Sequence, residues 1–207
     1  GIYCAVYVGS TSVIVNFDAE QALATLARER ITFTNLVPTT IQRLLAREDF
    51  ERYDLSALDT ILYGGSPMPV PVLLDARRKL PRCRFRQTFA STETGTAGTV
   101  LEPADHDLAL NDPAYAHRLL SCGKPQVAVE VAVFDEQGQP LPAGTVGEIG
   151  VRTEANITGF WGNAEATAEN IRDGWVFTGD MARIDEDGYV YLVDRKKDLI
   201  VTGAFNV

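Results

Sequence analysis

Between residues 12 and 93, short β-branched or aromatic runs alternate with amphipathic segments, and that alternation admits few architectures. Residues 12–16 (SVIVN) read as a strand between Gly9 and Asp18. Asp18 is suited to cap a helix over 19–30, whose Leu23, Leu26 and Ala27 share one face. Residues 31–37 give a second strand, and Pro38 stands where a helix carrying Ile41, Leu44 and Leu45 would begin. A third strand over 58–63 runs into Gly64-Gly65, a helix follows over 71–80, and a fourth strand over 83–89 runs into Ala90-Ser91-Thr92-Glu93. Strand and helix in strict turn predict an α/β subdomain, a parallel sheet with helical crossovers, over residues 1–110.

After Glu102 the pattern changes. Residues 103–117 are polar and contain Pro103 and Pro113, which reads as a loop or linker. Residues 127–134 (VAVEVAVF) then alternate with period two, 135–138 supply a turn, and 147–152 (GEIGVR) give a partner strand. A short helix is expected over 164–171, and Asp187-Gly188 closes a further hairpin. Residues 118–194 are therefore expected to form a small antiparallel β-barrel or sheet subdomain.

Charge and cysteine usage remove several function classes. The chain carries 28 acidic against 19 basic residues, a net charge of -9, which argues against nucleic-acid or anionic-membrane surfaces. The opening apolar run is about 8 residues, far short of the roughly 20 that a membrane span needs, and no signal-peptide pattern surrounds it. Cys4, Cys83 and Cys122 are too scattered for a disulfide framework or a metal-ligand set, which suits a reducing, cytoplasmic setting. His106 and His117 have no ligand partners at metal spacing and are expected at the surface. The sequence contains no G-x-S-x-G elbow, no Walker A loop and no G-x-G-x-x-G. It begins at Gly1 and stops at Val207, just after the apolar run 199–201, and is expected to be a piece of a longer protein.

Three stretches offer chemistry. In an open parallel sheet, ligands bind beyond the carboxyl ends of the strands. Gly64-Gly65-Ser66-Pro67 follows the third strand, where paired glycines admit a flat ligand such as a purine, or simply make a tight turn. Residues 89–95 (FASTETG) follow the fourth, with three hydroxyls suited to phosphate oxygens and Glu93 suited to Mg²⁺; the same stretch reads equally as a helix N-cap. Residues 173–198 place Asp180 behind a Thr178-Gly179 turn, then a hairpin, then Asp194-Arg195-Lys196-Lys197-Asp198. A carboxylate on a glycine turn accepts two sugar hydroxyls and an arginine answers a phosphate, while a solvated surface hairpin explains the same charges. Trp161 and Trp175 are suited to ligand stacking or, more commonly, to buried packing.

Taken in order, Gly64-Gly65-Ser66-Pro67, Phe89-Ala90-Ser91-Thr92-Glu93, Gly147-Glu148-Ile149-Gly150, Gly174-Trp175-Val176-Phe177-Thr178-Gly179-Asp180, Gly188-Tyr189 and residues 194–198 resemble the adenylate-forming superfamily. That superfamily includes acyl-CoA and aryl-CoA synthetases, luciferases and peptide-synthetase adenylation domains. The resemblance covers almost the whole chain. It implies a two-step ligase in which a carboxylate attacks the α-phosphate of ATP, giving an acyl-adenylate, and a thiol such as CoA then displaces AMP. It further implies that Gly64, Gly65, Ser66 and Pro67 line the adenine and Phe89 stacks on it. Ala90 and Ser91 belong to the same binding loop, Thr92 holds phosphate and Glu93 holds Mg²⁺. Asp180 takes the ribose hydroxyls, Arg195 contacts ribose and phosphate, and Lys197 is the hinge about which a C-terminal domain rotates.

The departures are specific. The superfamily's Y-G-x-T-E is Phe89-Ala90-Ser91-Thr92-Glu93 here, so a ring hydroxyl is lost and a methyl is expected to reshape the acyl pocket. The usual glycine pair after the hinge is Gly203-Ala204. The resemblance places a phosphate loop upstream of Gly1 and a lysine-bearing domain beyond Val207. Residues 195–207 are accordingly read as hinge and domain start, and the segment alone is expected to be inactive. Alternatives are an aryl-CoA ligase, a peptide-synthetase adenylation domain, or a non-catalytic nucleotide-binding protein of the same fold. Near the position where the peptide synthetases anchor an amino group stands Asn35, with no clear aspartate.

Overall fold

A computed structural model describes residues 2–195, 201–202 and 205–206. The chain divides into two compact units, one made of the residues up to Tyr63 with Met68–Arg84, the other of Gly64–Pro67 with the residues from Phe85 onward.

In the first unit the elements are α1 (Ile2–Tyr7), α2 (Ala19–Arg28), β1 (Phe33–Leu36), α3 (Pro38–Leu45), a 3₁₀ turn at Phe50–Arg52, β2 (Thr60–Gly64) and α4 (Val70–Lys79). Asp18 caps α2 as expected, its Oδ1 accepting from the amides of Glu20 and Gln21 at 3.0 Å each. The helix ends two residues before the expected boundary, and Arg30 takes the left-handed conformation (φ 47°) that turns the chain toward β1. Pro38 opens α3, where its missing N–H costs nothing. β1 and β2 pair in parallel from Phe33↔Thr60 to Leu36↔Tyr63. Leu23, Ile41, Leu44, Ile61 and Leu73 are all buried and form the core of this unit. Residues 12–16 form no strand. Ile14 is 80% exposed, and among the described residues no strand pairs with this segment, so its β-branched side chains have neither a ladder nor a core face.

The second unit contains β3 (Arg84–Ala90), β4 (Gly98–Leu101), α5 (Pro103–Asn111), a 3₁₀ segment at Pro113–Leu120 and β5 (Lys124–Pro125). It continues with β6 (Glu130–Phe134), β7 (Gly147–Arg152), α6 (Ala164–Asn170), β8 (Ile171–Arg172), β9 (Trp175–Ile184), β10 (Val190–Arg195), β11 (Val201–Thr202) and β12 (Phe205–Asn206). Parallel order does not persist: β3 turns straight back into β4 as an antiparallel pair, Gln87↔Leu101 to Ala90↔Gly98, and β5 adds antiparallel to β4. A seven-residue return is too short for the helical crossover that a parallel neighbour requires. The expected antiparallel sheet is present in the order β10-β9-β7-β6 with β8 beside β9, and β11 pairs with β12. Its inner face buries Val133, Ile149, Ala182 and Val190, with Phe89, Val131, Leu141 and Ile184 packed against them.

The stretch expected as a linker is helical. Pro103 occupies the first turn of α5, and Glu102 and Asp105 form a capping box in which the Glu102 amide donates to Asp105 Oδ2 at 3.1 Å. His106 is fully buried rather than superficial, with Nδ1 2.8 Å from the Glu102 carbonyl oxygen. His117 is exposed and stacks on Tyr191. The helical stretch is fastened to the β9–β10 turn: Tyr189 donates its hydroxyl to Asp105 at 2.6 Å, and Arg118 lies over the rings of Tyr115 and Tyr189 while pairing with Asp187 at 2.8 Å. Burial, reinforced by the Asp105 contact, pushes the Tyr189 phenol up to about 12.

Candidate functional site

The four sequence-predicted segments that the described residues include, Gly64–Pro67, 89–93, Asp180 and Arg195, all belong to the second compact unit. The glycine pair has two separate physical reasons. A Cβ on Gly64 would collide with the carbonyl oxygen of Thr88 on β3, and Gly65 adopts φ 79°, where only glycine is unstrained. Both are demands of the backbone itself, so the pair is explained before any ligand is considered.

The stretch after β3 is a run of turns, not the N-terminus of a helix. Phe89 points its half-buried ring into the cluster containing Ile149 and Ala182. Ala90 is the last residue of the strand and pairs with Gly98. Ser91 buries its hydroxyl with no hydrogen-bond partner among the described residues, whereas Thr92 is exposed and Glu93 half-buried. The loop closes on Thr94, which is fully buried: its Oγ1 accepts from the Ser91 amide at 3.2 Å and donates to the Ala97 carbonyl oxygen at 2.6 Å. From outside, the Ile157 amide donates to the Glu93 carbonyl oxygen at 2.8 Å.

Asp180 lies within a continuous strand, not behind a turn. Between Glu148↔Met181 and Gly150↔Phe177 the register shifts, so Thr178, Gly179 and Asp180 on β9 stand against Ile149 alone on β7. Gly179, at φ 74°, makes this bulge possible without breaking the ladder. The Asp180 amide donates to Thr178 Oγ1 at 3.2 Å, and Thr178 Oγ1 is 3.4 Å from the Ile149 carbonyl oxygen. On the other side, β10 has its own irregularity between Leu192 and Asp194, beyond which Arg195 is the cross-strand partner of Asp180. Asp180 shares a face with Ala182, two residues on, and Ala182 belongs to the cluster that Phe89 packs against. Asp180, a residue 8% exposed, thus stands opposite the Arg195 backbone and two residues from Ala182, in the cluster that Phe89 packs against.

Lys197 lies outside the described residues, as do Lys196, Asp198, Gly203 and Ala204. Among the described residues no group of three or more His, Cys, Asp or Glu could hold a metal ion, and no helix is long and apolar enough to cross a membrane. Cys83 and Cys122 are free and buried, and burial pushes their thiols up to about 11 and about 12, which leaves them inert. Trp175 meets Phe134 edge-on, and Trp161 is fully exposed rather than packed. A separate open cleft of about 380 Å³ is walled by Phe134, Trp175 and Phe177, with Arg172 over the Phe177 ring; Trp175, offered above for stacking, lines it, and Gly64–Pro67, residues 89–93 and Asp180 do not. Sequence reasoning missed Thr94 as the loop's internal tie. A buried hydroxyl three residues after Ser91 is a side-chain-to-backbone turn signal that composition alone does not separate from an exposed threonine.

Known proteins resemble this chain in sequence and in fold. The family model for AMP-binding enzymes matches residues 1–161. A medium/long-chain-fatty-acid–CoA ligase, FadD8, of Mycobacterium tuberculosis is 40% identical over 199 residues, which are 96% of this chain and 33% of that protein. A feruloyl-CoA synthase of an Amycolatopsis species is 38% identical over 192 residues, 92% of this chain and 37% of that protein. Among solved structures, the amide bond synthetase McbA from Marinactinospora thermotolerans superposes with a TM-score of 0.87 at 33% identity, covering 99% of this chain and 40% of that one. The chain therefore spans about a third of the length of these curated relatives. With the family model matching most of the chain and relatives at 38–40% identity covering more than nine-tenths of it, the chain belongs to the AMP-binding enzyme family.

Proposed function

We propose that the protein containing this chain is an ATP-dependent carboxylic acid–CoA ligase. It forms an acyl-adenylate and pyrophosphate, then lets the CoA thiol displace AMP. The observation that carries this reading is the register of Asp180 opposite Arg195, in the same compact unit as Gly64–Pro67 and residues 89–93. An aspartate and an arginine at facing positions of adjacent strands are residue types suited to the hydroxyls and phosphate of one nucleotide. In this reading Gly64, Gly65, Ser66 and Pro67 border the adenine, and Phe89 stacks on it. Ala90 and Ser91 continue the loop, and the exposed Thr92 hydroxyl donates to phosphate. Asp180 accepts the two ribose hydroxyls, and Arg195 offsets phosphate charge. Lys197 acts as the hinge residue of the 195–207 segment, after subdomains over 1–110 and 118–194. Two buried, protonated thiols suit a reducing, cytoplasmic setting.

Glu93 fits Mg²⁺ on its own chemistry. It is one half-buried carboxylate on a turn, and that cation takes one or two protein oxygens and fills its remaining positions with phosphate and water. When bound, the ion would neutralise charge on the transferring phosphates. The acid itself is left open: fatty-acid and feruloyl ligases are nearly equally similar to the chain, so neither an alkyl nor an aryl substrate is favoured.

The test is ATP consumption by the complete protein across alkyl and aryl carboxylates, with and without CoA. Consumption that depends on an acid and rises with CoA is expected. Acid-dependent turnover indifferent to CoA would move the reading to another acceptor, as the amide bond synthetase neighbour suggests, and no turnover with any acid would favour a non-catalytic nucleotide-binding protein.

A further inference from the structure

Inside the second unit, the turn that presents Thr92 and Glu93 is closed from two sides. Within it, Thr94 is 0% exposed. Its Oγ1 accepts from the Ser91 amide at 3.2 Å and has two carbonyl oxygens in reach, Ala97 at 2.6 Å and Ser91 at 3.1 Å. A hydroxyl has one proton, so the shorter contact to Ala97 is the donation, and the side chain bridges the two ends of the turn. Backbone bonds from Gly95 N to Thr92 O (3.1 Å), Thr96 N to Ser91 O (3.2 Å) and Ala97 N to Thr94 O (3.0 Å) complete the knot.

Outside it, the Ile157 amide donates to Glu93 O at 2.8 Å, and Gly95 lies so close to the Ala155 backbone that a Cβ would not fit. That segment is itself held to the antiparallel sheet. The Asn156 side-chain amide donates to Val151 O on β7 at 3.0 Å and to Gly174 O, just before β9, at 3.2 Å. Hydrogen bonds on either side of the Asn156–Ile157 peptide therefore link the turn to β7 and to Gly174, the residue before β9.

We propose that Thr94 is a positioning residue for the Thr92-Glu93 pair, with Asn156 as the outer anchor that ties the same turn to β7 and β9. The proposal rests on the reading of Thr92 and Glu93 as phosphate and Mg²⁺ contacts. Thr94 touches no reacting atom. It sets where Glu93 and the Thr92 hydroxyl stand, so that little reorganisation is needed when the nucleotide arrives. A purely structural threonine would lower stability and leave the metal requirement alone.

The experiment uses the complete protein, with carboxylate-dependent pyrophosphate exchange measured against Mg²⁺, ATP and acid concentration, and thermal melting recorded for each variant. Thr94→Val keeps the side-chain shape and removes both hydrogen-bonding roles. It is expected to raise the half-saturating Mg²⁺ concentration about tenfold, with the KM for the acid within about twofold, while Thr94→Ser stays within about twofold of wild type throughout. Glu93→Gln serves as the reference and is expected to raise the Mg²⁺ requirement at least as much. Folded Thr94→Val with an unchanged Mg²⁺ requirement, beside an impaired Glu93→Gln, would overturn the proposal and leave the Glu93 reading standing. An unchanged requirement in Glu93→Gln would overturn that reading, and the positioning role with it. If Thr94→Val does not fold, Asn156→Ala carries the same test from outside the turn, and an unshifted Mg²⁺ requirement there overturns the proposal.

Discussion

Asp180 owes its setting to the residue before it. Gly179 in the left-handed region lets three residues of β9 stand against one of β7 without ending the strand, and a separate irregularity in β10 between Leu192 and Asp194 leaves Arg195 opposite Asp180. If this carboxylate accepts both ribose hydroxyls, Asp180→Ala in the complete protein removes two charge-assisted hydrogen bonds, each worth about 1.5–3 kcal/mol. The KM for ATP is expected to rise tenfold or more by steady-state kinetics, with the KM for the acid little changed; an unaltered ATP KM would remove Asp180 from the ribose contact. The order and identity of Gly64, Gly65, Thr92, Glu93 and Asp180 were legible in the sequence. That Gly64 is required by the Thr88 carbonyl, and that Asp180 sits in a bulge rather than behind a turn, were not. Both depend on a neighbouring strand that no local pattern names.

Among the elements, the helical pair over 103–120 shows where reading by composition fails. Two prolines and many polar residues suggest a linker, yet Pro103 and Pro113 each sit where a helical segment starts, and Glu102 with Asp105 forms a capping box. The pair is fixed to the β9–β10 turn through Tyr189 and Arg118, contacts between residues as far apart as Asp105 and Tyr189. The Tyr189 and Tyr191 phenols are held at about 12 against an ordinary 10, and the Cys122 thiol at about 12 against 9, first of all by burial. The folded state therefore binds these protons more tightly than the unfolded one. Their contribution to stability is fully present below about pH 9 and is lost as pH rises through 12. Melting temperature is expected to fall steadily between pH 9 and 12, and a flat profile there would contradict the burial of these groups. By contrast, the strand from Gly147 to Arg152, the α6 helix and the β9–β10 hairpin were legible, since period-two alternation and Asp-Gly turns act locally. The segment beyond β10 carries a separate expectation: Lys197→Pro should slow thioester formation more than adenylation, measured as separate half-reactions, and equal loss of both would count against a hinge.

At the scale of the whole molecule, the chain spans about a third of the length of its curated relatives, and the proposed activity is assigned to the protein that contains it. The change from helix-strand alternation to an antiparallel sheet was legible from the hydrophobic period. The antiparallel return of β3 into β4 was not, because a strand's period is the same whichever direction its neighbour runs. In the proposed function the chain supplies the nucleotide-binding part of an acid-activating ligase, and carboxylate-dependent exchange of labelled pyrophosphate into ATP measures that directly. With the complete protein, exchange is expected only when a suitable carboxylate is present, before any CoA is added, and residues 1–207 alone are expected to give none. Failure of every carboxylate to support exchange in the folded, ATP-binding complete protein would contradict it.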